Sequence, residues 1–240
     1  MELIRFKDHA QLSGYVAGEV VTALQKKPSL TICLASGHTP ALACELLVEQ
    51  LLEQQVNYSG LFLLGLDEWV GLGAETEGGC QHFFRKKLVE PLQLRETQYH
   101  FFNALNSNLE QECAGMDAVI AQRGPIDIMI VGIGMNGHIG FNEPGTPFTS
   151  LSHSIQLAEI TKTIGKKYFT GNVPLEKGIT IGLGHLMNSH TVYLMANGAQ
   201  KAGVIQQAVT GPVSPSFPAS IMQIHGNGFV LVDEEAGTLV

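Results

Sequence analysis

The chain has 240 residues, of which 45% are hydrophobic and 15% charged, and its formal net charge is −8. This composition supports a sizeable apolar core and argues against disorder. The acidic balance argues against a general nucleic-acid binder, which needs a basic face, but it allows a small phosphorylated ligand held by a few local donors.

Short apolar runs alternate with helical patterns along the chain. In chain order these patterns predict a strand over 29–36, a helix over 39–55, a strand over 60–68, a helix over 79–90, a weaker strand over 99–103, a helix over 108–122, strands over 126–134 and 192–198, a helix over 200–210 and a strand over 229–235. We expect Thr39 to cap the first of these helices, with Pro40 at its first position. The last strand is expected to close the sheet.

Strands that are apolar on both faces and alternate with helices predict a three-layer α/β fold, with a mostly parallel sheet and helices on both faces. In such sheets the ligand crevice lies beyond the carboxyl ends of the strands. Three polar segments fall at predicted strand ends: SGHTP (36–40), DEWVGL (67–72) and GMNGHIGFNEPG (134–145). We expect these segments to converge.

Cysteine usage and hydropathy bear on the compartment. The first ten residues, MELIRFKDHA, are too polar for a signal peptide, and no apolar run reaches the length of a membrane span. No two cysteines form a C-x-x-C pair; they are Cys33, Cys44, Cys80 and Cys113. We therefore expect free thiols, a cytoplasmic protein and no membrane partner. Because no repeat or composition break divides residues 1–240, we expect one domain.

The glycines Gly132, Gly134 and Gly137 fit the dinucleotide-binding pattern G-x-G-x-x-G, with Glu159 as a candidate ribose-binding acid. That pattern requires a helix directly after the loop. The segment HIGFNEPGTP that follows is a poor helix by propensity, so the dinucleotide interpretation is weak.

His138 and Glu143 lie five residues apart in this loop. One alternative is that His138 caps a turn and Glu143 is solvated. A metal site is another, but the spacing lacks the helical i,i+4 pattern and no thiol is near. The surrounding glycines and Asn136, placed after the strongest predicted strand, favour chemistry carried by the loop itself.

Asp67 and Glu68 end a buried strand, where acids are unfavourable, so they indicate an exit into the crevice. If one of them faces the crevice, partial burial would raise its pKa toward the range of a useful base. The alternative for either acid is a helix cap or an ion pair.

A strand, a turn of small residues and a helix start together suggest an anion site, since backbone N–H and hydroxyl groups converge there. The turn residues are Ser36, Gly37, His38 and Thr39. No Gly-Lys-Ser/Thr follows, so this is not a Walker A loop, and an ordinary capped helix start is the alternative. The pair Lys166-Lys167 and the separate Lys201 are candidates to complete a phosphate site.

The segments SGHTP, LDEWVGL and above all GIGMNGHIGFNEPG resemble the glucosamine-6-phosphate deaminase/isomerase family. The resemblance covers nearly the whole chain, including ITIGLGHLM and GAQKA. The Ser-Gly-x-Thr-Pro turn is shared with the related 6-phosphogluconolactonases. Those lactonases typically have an Asp before the Gly-His pair and a different continuation from FNEPG, so the deaminase branch fits better.

The resemblance implies a modified Rossmann-like fold and an enzyme that needs neither cofactor nor metal. Such enzymes open the ring of an amino-sugar 6-phosphate, move a proton between C2 and C1, and release ammonia. By resemblance, Asp67 is the enolisation base, and His138, supported by Glu143 and Asn136, opens the ring. Phosphate contacts are implied for Ser36, Gly37, His38, Thr39, Lys167 and Lys201.

Three departures from the family pattern bear on which amino sugar is used. Lys167 stands where an arginine is expected, which removes a bidentate fork. His38 stands where glycine is frequent, and Cys80-Gln81 replaces the usual Ser-Tyr pair.

Two alternative functions stay open: a lactonase on the same scaffold, and a sugar-phosphate-binding regulator without catalysis. The expected partner is a small sugar phosphate, without nucleic acid; a homo-oligomer is a further expectation.

Overall fold

The computed structural model describes residues 1–171, Val173 and residues 175–240. Its strands are β1 (Glu2–Phe6), β2 (Thr31–Leu34), β3 (Phe62–Gly65), β4 (Asp67–Trp69), β5 (Tyr99–His100), β6 (Ile128–Gly132), β7 (His153–Gln156), β8 (Lys177–Thr180), β9 (Thr191–Ala196) and β10 (Gly228–Asp233). Its α-helices are α1 (His9–Lys26), α2 (His38–Glu53), α3 (Cys80–Phe84), α4 (Leu109–Arg123), α5 (Glu159–Gly165), α6 (Leu183–Asn188) and α7 (Ala202–Thr210). A π-helical turn, Arg85–Val89, continues α3.

Seven strands form one sheet in the order β1-β10-β9-β6-β2-β3-β5, and every neighbouring pair in it is parallel. Successive strand residues point to opposite faces, so Ile32 and Leu34 join one buried cluster and Cys33 joins the other. Helices α1 and α2 cover the first face, and α4, α6 and α7 cover the second. The predicted three-layer α/β fold is confirmed.

Helix α1 and strand β1 were absent from the sequence-based prediction. Asp8 caps α1 by accepting a hydrogen bond from the Gln11 N–H at 2.8 Å. The helix contains Gly14 and Gly18, each of which lowers helix stability by roughly 1 kcal/mol relative to alanine. Complete burial of side chains such as Leu12, worth about 1.5–3 kcal/mol each, offsets that loss. β1 lies outside β10, so the prediction that the last strand closes the sheet is wrong.

The predicted strand over 60–68 is divided between two sheets. β3 belongs to the large sheet, whereas β4 pairs with β8 in a second, antiparallel sheet of order β4-β8-β7. Leu66 joins the two, because its N–H donates to the Leu34 carbonyl at 3.0 Å and its carbonyl accepts from the Ile181 N–H at 2.8 Å. Because the apolar run is continuous in the sequence, it does not reveal that the chain passes from the large sheet to the small one after β3.

The start of α2 also differs from the prediction. The helix begins at His38, one residue before the predicted cap Thr39, and Pro40 is its third residue. Gly37 is the N-cap, with a φ of 113° that side chains rarely adopt, and it has no side-chain capping bond. The Thr39 hydroxyl donates to the Asn197 Oδ1 instead, at 2.7 Å.

Two expectations about the chain as a whole concern thiols and membranes. The four cysteines are free, as predicted, and the structure shows that all four are buried. Among the described residues, none of the helices combines the length and the apolar character that crossing a membrane requires.

Candidate active site

A cleft of about 230 Å³ opens beyond the carboxyl ends of β2, β6 and β9, with β4 beside it. The three polar segments that were expected to converge do so here. The predicted site residues that line the cleft are Ser36, Gly37, His38, Thr39, Asp67, His138, Lys167 and Lys201. Asn136 and Glu143 are outside this lining and contact His138 or each other from behind it.

The His138 imidazole is held by a small polar network. Its Nδ1 lies 3.6 Å from Oε2 of Glu143 and 3.2 Å from the Thr161 hydroxyl. Asn136 donates from Nδ2 to the same Glu143 oxygen at 2.7 Å, and its Oδ1 accepts from the His138 N–H at 3.2 Å. The ring is therefore oriented from its Nδ1 side, which leaves Nε2 for the cleft.

Gly134 has a steric role beside this ring. A Cβ atom added at Gly134 would lie 2.3 Å from the His138 imidazole, so no other residue fits without moving the ring. The loop also closes on itself there, because the Gly134 N–H donates to the His138 carbonyl at 2.9 Å. Gly134 thus makes room for the imidazole.

The Glu143 carboxylate is buried, with 4% of the residue exposed, which contradicts the alternative of a solvated side chain. Burial alone would raise its pKa, but hydrogen bonds with His138, Thr161 and Asn136 outweigh burial and lower the pKa to about 2. The Ala158 N–H also donates to its Oε1 at 3.2 Å. Glu143 is consequently a fixed negative charge behind the imidazole.

Asp67 begins β4 and lines the cleft. Burial, and after it the charge of Glu68, raises the pKa of Asp67 to about 7, while the neighbouring Cys80 thiol acts to lower it. Its Oδ1 is buried and accepts no hydrogen bond from the described residues. A carboxylate poised in this way is suited to accept a proton near neutral pH.

Glu68 has a structural role. Its carboxylate accepts backbone N–H bonds from Trp69 at 2.9 Å, Cys80 at 3.0 Å and Gln81 at 2.7 Å. It therefore caps α3, so the helix-cap alternative is correct for Glu68 and wrong for Asp67.

Positive charge gathers at the end of the cleft near the Ser36–Thr39 turn. Lys201 donates from Nζ to the Ile133 carbonyl at 2.6 Å. Burial, and after it the charge of Lys167, lowers the pKa of Lys201 to about 8. Two lysines beside a helix N-terminus form a site suited to an anion. Lys166 is exposed and does not line the cleft.

Several lining residues were not predicted from the sequence. They are Trp69, Cys80, Thr161, Tyr168, Asn197 and Gln200. Asn197 and Gln200 stand on the same post-strand turn as Lys201, so the position of that turn could have indicated them. Thr161 and Tyr168 come from α5 and its 3₁₀ extension, and no local pattern singled out these two residues.

The dinucleotide interpretation is wrong. After Gly137 the chain continues through turns and short bridges, and a helix begins only at Glu159. The exposed side chain of Glu159 pairs with Lys162.

Within residues 1–171, 173 and 175–240, no group of three or more His, Cys, Asp and Glu side chains is arranged to hold a metal ion.

Residues 8–231 match the family described as glucosamine-6-phosphate isomerases/6-phosphogluconolactonase. The chain belongs to this family. It is 36% identical over 241 residues to a glucosamine-6-phosphate deaminase of Bacillus pumilus (strain SAFR-032), covering 100% of both chains. It is also 36% identical over 238 residues to the glucosamine-6-phosphate deaminase of Halalkalibacterium halodurans, covering 98% of this chain and 96% of that one.

Solved structures agree with this assignment. A structure described as a monomeric glucosamine-6-phosphate deaminase superposes with a TM-score of 0.96 at 29% identity and covers 100% of both chains. A 6-phosphogluconolactonase from Trypanosoma cruzi superposes with a TM-score of 0.81 at 16% identity, covering 99% of this chain and 96% of that chain. The second likeness shows the shared fold alone. The family and fold predicted from the motifs are confirmed.

Proposed function

We propose that this protein is an amino-sugar-6-phosphate deaminase, which converts a hexosamine 6-phosphate into the ketohexose 6-phosphate and ammonia. One observation carries the proposal. Asp67, whose pKa is raised to about 7, lines the same cleft as His138, which Glu143 holds from behind. An enolising enzyme needs a shielded carboxylate and a group that moves protons near neutral pH.

Ring opening is assigned to His138. The imidazole takes the proton of the C1 hydroxyl and returns one to the ring oxygen, which gives the open-chain aldehyde. Glu143 stabilises the charged imidazolium during this exchange, because it stays ionised with a pKa of about 2. Asn136 orients that carboxylate by donating to Oε2 but adds no charge.

Enolisation is assigned to Asp67. Its carboxylate removes the C2 proton and delivers it to C1, while one N–H proton of the C2 amine passes to O1, so the C2 amine becomes an imine and C1 a primary alcohol. Water then adds to the imine, and ammonia leaves with the ketohexose 6-phosphate as the second product. The protein supplies the base and the imidazole; the overall reaction consumes one water and needs no oxidant or reductant.

The phosphate is assigned to the positive end of the cleft. The Ser36–Thr39 turn and the start of α2 present N–H groups, and Lys167 and Lys201 supply charge. An anchor at this end leaves C1 and C2 free to reach Asp67 and His138.

Glucosamine 6-phosphate is the proposed preferred substrate, because the full-length relatives at 36% identity are named for it. The single-domain organisation of residues 1–240, a cytoplasmic location and a homo-oligomer are further proposals carried from the sequence. Sedimentation equilibrium of the purified protein tests the oligomer; a single species of 25.9 kDa at all concentrations would contradict it.

The test of the proposed function is a coupled ammonia assay with glucosamine 6-phosphate and galactosamine 6-phosphate, run beside hydrolysis of 6-phosphogluconolactone. Ammonia release that Asp67→Asn abolishes is the expected result. Turnover of the lactone alone would place the activity with the lactonases. Binding of sugar phosphates without any turnover would indicate the regulator.

A further inference from the structure

A side-chain hydrogen bond ties the ends of β2 and β9 together across the cleft. The Thr39 hydroxyl, one turn after β2, donates to Oδ1 of Asn197, which directly follows β9, at 2.7 Å. β6 lies between these two strands in the sheet, so the bond passes over its carboxyl end. Both residues line the cleft, as Lys201 does.

The direction of this bond decides which donors face the ligand. The Thr39 hydroxyl proton is used by Asn197, so this hydroxyl offers only lone pairs to the cleft. Asn197 has used its oxygen, and its Nδ2 donates to no other described residue. A primary amide carries two donors on that nitrogen, and a half-buried amide in a cleft retains them for a ligand.

The turn that carries Asn197 is held firmly from below. Asp233, with 6% of the residue exposed, accepts from the Gly198 N–H with both carboxylate oxygens at 3.0 Å. Gly198 has a φ of 86°, which suits glycine. At the other end of the turn, Lys201 donates to the Ile133 carbonyl. Asn197 and Lys201 therefore keep a fixed relation to each other.

We infer that the Asn197 carboxamide donates a hydrogen bond to the phosphate of the substrate, and that Thr39 positions this amide rather than donating its own hydroxyl proton. The inference rests on the proposed function, which places a phosphate at this end of the cleft. A neutral donor fits here, because Lys167 and Lys201 already repel one another and a third cation would add to that repulsion.

The test compares four variants of the full chain. Asn197→Asp keeps an acceptor for Thr39 but removes both amide donors, and Asn197→Ala removes the donors without adding charge. Thr39→Val removes only the hydrogen bond from Thr39 to Asn197. The control Asn57→Asp makes the same charge change at an exposed position before β3, where an aspartate can still accept from the Ser59 N–H.

Calorimetric binding of inorganic phosphate and the KM for the amino-sugar 6-phosphate are measured for each variant. A hydrogen bond to a charged group predicts that Asn197→Ala weakens both by roughly tenfold to a hundredfold. Asn197→Asp should weaken them further, and Thr39→Val should do so by only a few fold. Asn57→Asp should match the wild type.

Phosphate binding by Asn197→Ala within twofold of the wild type would overturn the inference. A larger loss in Thr39→Val than in Asn197→Ala would also overturn it, since the threonine would then be the direct donor. The phosphate titration needs no turnover. If the wild type releases no ammonia but phosphate binding depends on Asn197, the proposed function fails and the inference stands.

Discussion

Asp67 and Glu68 are adjacent carboxylates with opposite surroundings: Glu68 accepts three backbone N–H groups, whereas Oδ1 of Asp67 is buried and accepts none from the described residues. Strand geometry explains the contrast, because successive side chains point to opposite faces. Glu68 anchors the start of α3, whereas Asp67 is left available to a ligand in the cleft.

Replacement of Asp67 should abolish catalysis while leaving phosphate binding intact. Asp67→Asn is expected to lower kcat by roughly 10²- to 10⁴-fold, the range for loss of a general base. Inorganic phosphate should inhibit or bind the variant as it does the wild type. Steady-state kinetics and a phosphate titration provide the two measurements. Undiminished turnover by the folded variant would reject Asp67 as the base.

The same substitution should stabilise the fold in alkaline solution. The pKa of Asp67 is raised in the folded state to about 7 from an ordinary value of 3.8, so the folded chain holds a proton that the unfolded chain has lost. Wild-type stability therefore falls as pH rises between these two values and stays reduced above pH 7. The difference corresponds to at most about 4 kcal/mol, reduced by exposure to the cleft.

Thermal unfolding across this range measures the effect. Asp67→Asn should exceed the wild type in Tm most clearly above pH 7, and the advantage should shrink toward pH 4. Glu68→Gln is the companion variant, and it should lose stability because its three N–H donors lose a charged acceptor. A Tm difference between Asp67→Asn and the wild type that does not vary with pH would count against a protonated Asp67.

Catalytic efficiency should have two pH limits. Below pH 7 Asp67 becomes protonated and cannot act as the base, and above pH 8 Lys201 loses the charge that attracts phosphate. We expect kcat/KM to fall on both sides of a narrow maximum, with apparent pKa values near these two. The second ionisation of a phosphate ester lies near pH 6, below both of these limits. Lys201→Arg should remove the alkaline limb; its persistence would assign that limb to another group.

Glu143 should act as a permanent charge. Its pKa of about 2 keeps the carboxylate ionised at every ordinary assay pH, so Glu143→Gln should lower kcat by about tenfold or more, by a constant factor. The two limbs assigned to Asp67 and Lys201 should stay in place. A loss of activity confined to one of these limbs would contradict a fixed supporting charge.

A methyl group at Gly134 should disable the imidazole without unfolding the protein. The added Cβ would lie 2.3 Å from the His138 ring, so the ring must leave its place beside Glu143. Gly134→Ala should lose most of its activity, whereas Gly115→Ala, in α4 with open space around it, should stay active and gain slightly in stability. Full activity of Gly134→Ala would show that the ring position is not critical.

The sequence predicted those parts of the site that directly follow strands of the parallel sheet. Asp67 and His138 could be placed together because the carboxyl ends of parallel strands meet at one edge. Thr161 and Tyr168 could not, because their positions depend on how the α5 segment packs over the cleft, a contact between distant parts of the chain. The Thr39 cap was wrong because Gly37, with its positive φ, caps the helix two residues earlier.

Leu66 gives the cleft a fixed length. Leu66 is hydrogen-bonded to Leu34 at the end of β2 and to Ile181 after β8. Asp67, the next residue, therefore cannot slide relative to the turn that follows β2. We expect sugar phosphates to be selected by the number of carbons between the reacting centre and the ester. A pentosamine 5-phosphate, one carbon shorter, should therefore seat its phosphate but leave its acidic hydrogen out of reach.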